Sequence, residues 1–380
     1  MSNRVQNRIA LCVYFFLSGF CIGSWTSRIP SIKVNFDLNE AELGTLLLTM
    51  PIASILGLPF SGWLVTKYES RKPLIVAYLF LSAAVLMIGL AESYWVLVVA
   101  IFLFAFCLRM LNIAANTQSI MIQRLFEKKI IGSFHALWSL GGMAGVGFST
   151  LMVKTGVAIS NHLIIVSIFT LCVSIGAFSF LIRNDHTSSG TKWSLRRPDS
   201  FTFILGVLVF FGAISEGGMI DWSGVYFKEV IEEEVFTLGY LVFMASMAIS
   251  RFMSDIIMER FGSVKTYIIS GSFIATGILI SIVFPNFTAA MIGFGLVGFG
   301  TSAVFPLTFS LAGKSSKYSP GIAVAIITTY GMLGFLAGPP LIGYLGHAFG
   351  LQNAFISFVV SGLIIVLVSG RLKKVISSKN

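Results

Sequence analysis

Gly62-Trp63-Leu64-Val65-Thr66-Lys67-Tyr68-Glu69-Ser70-Arg71-Lys72 joins two long apolar runs, residues 41–66 and 72–92. The connection is too short for a soluble element, and each run meets the ~20 mainly apolar residues that a bilayer crossing needs. The pattern repeats outward. Runs at 8–31, 41–66, 72–92, 95–122, 130–154 and 160–183 precede a polar break, and runs at 200–227, 236–259, 264–284, 287–312, 318–345 and 350–370 follow it. With 56% hydrophobic and only 11% charged residues in a chain of 380, these runs and short connections account for nearly the whole sequence. They predict an all-α membrane protein of twelve transmembrane helices in two six-helix bundles.

Basic residues mark alternate connections: Lys67, Arg71 and Lys72 after the second run, Arg124, Lys128 and Lys129 after the fourth, and Arg183, Lys192, Arg196 and Arg197 after the sixth. The intervening connections are acidic. Asp37, Glu40 and Glu42 follow the first run, Glu92 the third, and Glu229, Glu232, Glu233 and Glu234 stand beside Lys228 after the seventh. Counting both termini, 20 of the 26 Lys and Arg fall on one side, so the positive-inside rule places both ends and the 184–199 loop in the cytoplasm.

The net charge of +10 therefore lies in juxtamembrane connections, where it orients the chain and meets anionic lipid. Membrane lipid is an expected partner and nucleic acid is not. The first run is too long for a signal peptide and lacks a small-residue cleavage site, which predicts a retained span. Cys12, Cys21, Cys107 and Cys172 fall inside runs, and His135, His162, His186 and His347 are scattered, so no disulfide framework, metal or cofactor is expected. A monomer is expected.

The polar break from Asn184 to Asp199 divides the chain into an N-terminal bundle, 1–183, and a C-terminal bundle, 200–380. Internal duplication is the common way for carriers to place a site between two moving halves. A second loop, Asp255-Ile256-Ile257-Met258-Glu259-Arg260-Phe261-Gly262-Ser263-Val264-Lys265, stands after the eighth run where the 62–72 loop stands after the second. The pair resembles the Gly-x-x-x-Asp-Arg-x-Gly-Arg-Arg loops of the major facilitator superfamily. Thr66 and Glu69 depart from the pattern in the first copy, whereas Glu259, Arg260 and Gly262 keep it in the second. The resemblance implies a cytoplasmic lock built on Lys67, Arg71, Arg251, Asp255, Glu259 and Arg260.

Gly295-x-x-Gly298-x-Gly300 running into Val304-Phe305-Pro306 is similar to the fucose and glucose/galactose proton symporter branch. Ser27-Arg28-Ile29-Pro30, the segment Ser133 to Gly142 and the segment Glu216 to Ser223 resemble a related, largely uncharacterised bacterial inner-membrane branch. In the symporter branch, proton and sugar handling rests on carboxylates of the first and fourth spans. Here the first span has no acid and the fourth offers Asn112. Proton coupling then falls to the seventh span.

An ionisable side chain within a span costs at least ~2.5–3.5 kcal/mol on insertion scales, so it faces a cavity or a partner. In the fourth run Arg109, Asn112, Asn116, Ser119 and Gln123 recur at spacings of three and four, one helical face. A guanidinium and two amides on one face can hold a solute; a hydrogen-bonded seam between helices is the structural alternative. The seventh run holds Glu216 and Asp221 around Gly217-Gly218, with Trp222 and Tyr226 beyond. Five residues turn about 140° on a regular helix, so the two acids share a face only if the glycines break it. Glu216 is the expected proton carrier, and Asp221 is expected there or paired with Arg28; a structural ion pair is the alternative.

Arg251 and Asp255, four apart, are expected in the gate. His135 is a candidate proton relay or a packing residue, and Trp222, Tyr330 and Arg28 are further candidate solute contacts. Gly141, Gly142, Gly145 and Gly147, like Gly331, Gly334 and Gly338 beside Pro339-Pro340, allow close helix contact and bending.

The expected function is carriage of a small hydrophilic solute, a sugar or sugar derivative first, by alternating access with proton symport. Efflux of amphipathic compounds is the rival within that class. A membrane enzyme or sensor is the rival outside it, but no catalytic cluster at common depth and no output domain are present in the sequence.

Overall fold

The computed structural model describes the backbone of residues 3–128, 130–183, 199–313, 315, 317–318 and 320–377, with side chains except those of 3, 252–259, 320–321 and 373–377. Helices follow one another without strands among these residues: α1 (Asn3–Thr26), α2 (Ile29–Asn35), α3 (Glu40–Lys67), α4 (Arg71–Leu90), α5 (Tyr94–Gln123), α6 (Ile131–Lys154) and α7 (Ile159–Phe178), then α8 (Ser200–Glu229), α9 (Thr237–Val283), α10 (Phe287–Ser302), α11 (Val304–Ala312), α12 (Pro320–Phe349), α13 (Leu351–Ala354) and α14 (Ile356–Ser377). Eleven helices among the described residues are long and apolar enough to cross a membrane, and a shorter apolar stretch, Thr237–Arg251, adds to them. The loop 184–198 and the side chains of Asp255 and Glu259 lie outside the described residues.

The first and tenth expected runs are each divided in two. The first stops at Thr26 and restarts as α2, with Pro30 in its first turn, where a missing N–H costs nothing. The tenth divides at Ala303 into α10 and α11, and Pro306 sits in the first turn of α11 for the same reason. The eighth and ninth meet in α9 as expected, parted by a kink at Gly262, whose non-helical φ of 75° and ψ of 165° only glycine takes without strain.

Two compact units result, one of Met1–Phe36 with Thr49–Thr191, the other of Asp37–Leu48 with Lys192–Asn380. In the first, α1 lies against α6 so closely that a Cβ on Gly19, Gly23 or Gly141 would collide with the carbonyl oxygens of Trp138, Gly142 and Phe16. Small residues bring backbones together where lipid supplies no hydrophobic drive between helices. In the second, α14 meets α9 through Gly362 and Gly271, each within 2.5 Å of the other's carbonyl oxygen once a Cβ is added.

Candidate functional site

In the first unit, α1, α3, α4, α5 and α6 enclose a cavity of about 130 Å³ lined by Tyr14, Ser18, Ser54, Tyr78, Arg109, Asn112 and Trp138 among apolar neighbours. An engineered apolar cavity of about 150 Å³ holds benzene, so this space accepts a group of roughly that size. Gly57 on α3 leaves room for the arginine stem: a Cβ there would sit 3.4 Å from Arg109 Cβ and Cγ.

The Arg109 Nε is buried and has no hydrogen-bond partner. Acids are also remote in sequence. Between residues 1–36 and 49–183 they occur only at Glu69, Glu92 and Glu127, all in connections. No span of this unit therefore neutralises the guanidinium.

Around it the hydroxyl donors of Tyr14, Tyr78 and Ser18 are already used. Tyr14 donates to the Ser174 carbonyl at 2.6 Å, Tyr78 to the Tyr14 carbonyl, and Ser18 to the Phe15 carbonyl at 2.9 Å. Asn116 Nδ2 donates to the Asn112 carbonyl at 2.8 Å and to Asn112 Oδ1 at 3.2 Å. That contact holds the Asn112 amide with its own NH₂ free of bonds among the described residues. Arg109 and Asn112 thus offer unspent donors one helical turn apart.

The rest of the expected stripe is structural. Ser119 donates to the Asn116 carbonyl at 2.8 Å, and Gln123 binds the Lys128 carbonyl at 2.9 Å while accepting from Ile130 N at 2.7 Å, closing the turn into α6. Gln118, off the stripe, does more. Its Nε2 donates to Ser70 Oγ at 2.8 Å and the Ile182 carbonyl at 3.0 Å, and its Oε1 accepts from Ile182 N at 3.2 Å. Tyr14 and Ser18, one turn apart in the first run, were the sequence signal for the cavity wall that periodicity in the fourth run alone did not reveal.

In the second unit Arg251 Nη2 stands 3.3 Å from Glu216 Oε1 and 3.6 Å from Met247 Sδ. The other oxygen, Glu216 Oε2, is buried without a hydrogen-bond partner. Arg251, expected in the gate with Asp255, is therefore joined to the expected proton carrier. α9 carries its guanidinium sideways onto α8, which sequence spacing along one helix does not reveal.

The glycines beside Glu216 do not break the helix. α8 runs unbroken from Ser200 to Glu229, so Glu216 and Asp221 point about 140° apart. A Cβ on Gly217 would lie 2.6 Å from Phe335 Cδ1, and one on Gly218 would strike the Phe358 ring. They admit α12 and α14 rather than opening the helix. Trp222 is fully buried with its Nε1 unpartnered, and Tyr330 packs its ring over Gly206 and against Phe203.

Arg28 is 4% exposed and bonds within its own unit, Nε to His162 Nδ1 at 3.1 Å and Nη2 to the Val157 carbonyl at 2.8 Å. It is absent from the Arg109 cavity wall. The His135 ring lies edge-on to Phe15, 5.4 Å between centroids. In the 62–72 loop Arg71 pairs with Glu69 at 2.8 Å and covers Phe178, Lys67 sits 4.7 Å over the Trp63 ring, and Thr66 turns back to the Trp63 carbonyl. Arg260 lies over Phe261.

Residues 11–316 and 238–377 match the model of the Major Facilitator Superfamily. The chain is 30% identical over 358 residues to an uncharacterised MFS-type transporter of Yersinia pestis, covering 93% of this chain and 92% of that one. It is 30% identical over 362 residues to the uncharacterised transporter y4wD of Sinorhizobium fredii, covering 93% and 94%. Among solved structures, the nucleoside transporter NupG superposes with a TM-score of 0.82 at 12% identity over 98% of this chain and all of that one. A bacterial homologue of the human lysosomal transporter Spinster does so with a TM-score of 0.76 at 15% identity, covering 98% of each. At those identities the likeness concerns the fold. The chain belongs to the Major Facilitator Superfamily and is a multi-pass membrane transporter of that all-α fold.

Proposed function

We propose that the protein is a secondary carrier that moves a small hydrophilic solute by alternating access, coupled to protons at Glu216. The observation that supports this most directly is Arg109, an arginine within a transmembrane helix whose buried Nε has no partner, beside the free amide of Asn112 in one cavity. Such a residue is costly in lipid and is kept where a ligand completes it. The donors match an acceptor-rich solute. A sugar derivative is the first candidate, and a nucleoside, the solute named for NupG, is the second.

Proton coupling rests on the ion pair of Glu216 with Arg251. A carboxylate held by one arginine contact, with its second oxygen dry, changes partner readily when protonated. The distribution of Lys and Arg supports a bacterial inner-membrane location with both termini cytoplasmic.

The test is thermal stabilisation of the purified protein against sugars, sugar acids, nucleosides and amphipathic cations, since a ligand of the folded state raises Tm. Stabilisation by one hydrophilic class, followed by pH-driven uptake of it into liposomes, is the expected result. Shifts with amphipathic cations alone would overturn the reading in favour of efflux.

A further inference from the structure

Away from the Arg109 cavity, the outer face of the first unit carries two open spaces that share a wall. One, about 540 Å³, is bounded by Gln6 and Asn7 of α1, Arg124 after α5, and Ser179 and Arg183 after α7. The other, about 490 Å³, is a groove between Ile9, Ala10 and Val13 of α1 and Val173, Gly176 and Ala177 of α7. Gln6 and Phe180 border both. We infer that this seam is a binding site for one anionic phospholipid, its phosphate between Arg124 and Arg183 and an acyl chain along the groove.

The two halves have opposite chemistry in the order a lipid requires. Arg124 and Arg183 are exposed, and neither side chain has a hydrogen bond or ion pair among the described residues. No acid lines the pocket. Two guanidinium forks suit a phosphate diester and gain nothing from a choline group.

Beyond Phe180, which follows α7 in its closing turn, the wall becomes apolar, with Val173, Gly176 and Ala177 on one face of α7 at spacings of three and four. Gly176 opens the groove: a Cβ there meets no atom within 4 Å. A soluble anion would leave that groove empty, and a purely apolar ligand would leave the arginines unused. Basic pockets between transmembrane helices are a recurring form of headgroup recognition. The site involves neither Arg109 nor Glu216, so it stands or falls apart from the transport reading.

The test uses the full chain in detergent, titrated with dioleoyl phosphatidylglycerol, dioleoyl phosphatidylcholine or soluble glycerol 3-phosphate, and read by Tm and by lipid retained in native mass spectrometry. Phosphatidylglycerol is expected to raise Tm and be retained above phosphatidylcholine, with glycerol 3-phosphate without effect. Arg124→Ala with Arg183→Ala should weaken phosphatidylglycerol binding about tenfold, the loss of a few charge-assisted hydrogen bonds. Gly176→Leu, which has room to fold, should reduce retention while its lipid-free Tm stays at the parent value. Equal binding of the two lipids, an equal effect of glycerol 3-phosphate, or unchanged retention in both variants would overturn the site.

Discussion

Arg251 reaches one Glu216 oxygen at 3.3 Å while the other Glu216 oxygen is buried without a partner. The acid is therefore half-satisfied, its charge held by a single contact from another helix. Neutralising it should loosen the hold of α9 on α8 at this contact. Under the proposed mechanism Glu216→Gln keeps solute exchange and loses pH-driven accumulation, measured in liposomes with an internal pH dye. Uptake that remains pH-driven in the variant removes Glu216 as the coupling group.

Removing the other partner has a different signature. Arg251→Met leaves the Glu216 carboxylate buried and unpaired, which costs about 3–5 kcal/mol for a fully enclosed pair. The Arg251 side chain is 33% exposed, so a loss of about 2 kcal/mol is expected. Adding Glu216→Gln to Arg251→Met should recover most of the lost Tm without restoring coupling, because stability needs charge balance and coupling needs the titratable group.

Arg109→Ala should weaken solute binding, and Arg109→Lys should restore it only in part, since an ammonium carries the charge without the planar fork. A loss of about 10- to 100-fold in affinity, measured by equilibrium binding once the solute is known, corresponds to one or two charge-assisted hydrogen bonds. Equal affinity in Arg109→Lys and the parent would show that charge alone is read.

How far the sequence reached is visible in these residues. Spans were legible because lipid imposes one requirement, length of apolar helix, on every run. Arg109 was legible for the same reason, as a residue too costly to be in a span by accident. The Glu216–Arg251 contact was not, because it joins α8 to α9 and no period along one helix encodes a contact between two. Gly217-Gly218 left open whether the helix breaks there. A glycine that bends a helix and one that admits a neighbour's Phe335 or Phe358 look identical until the neighbour is placed. Gln118 was overlooked because its partners, Ser70 and Ile182, lie 48 and 64 residues away.

Gln118→Ala removes three hydrogen bonds at once from a buried side chain. At about 0.5–1.5 kcal/mol each, a loss of about 2–3 kcal/mol in stability is expected. Solute affinity should not change, because Gln118 does not line the Arg109 cavity. A fall in affinity with unaltered Tm would mean that the α5 end takes part in binding rather than in holding α4 and α7.

Glycines of one helix separate packing from flexibility. On α6, a Cβ at Gly141 would run into the Phe16 carbonyl of α1, a backbone atom that cannot yield, whereas a Cβ at Gly147 meets nothing within 4 Å. Gly141→Ala should therefore cost about 1–3 kcal/mol by overpacking, and Gly147→Ala should leave stability unchanged or raise it by up to about 1 kcal/mol through helix propensity. If the segment served mainly as a hinge, both substitutions would slow transport alike at unchanged Tm. Divergent Tm values, with transport slowed only in Gly141→Ala, identify close helix contact as what these glycines supply.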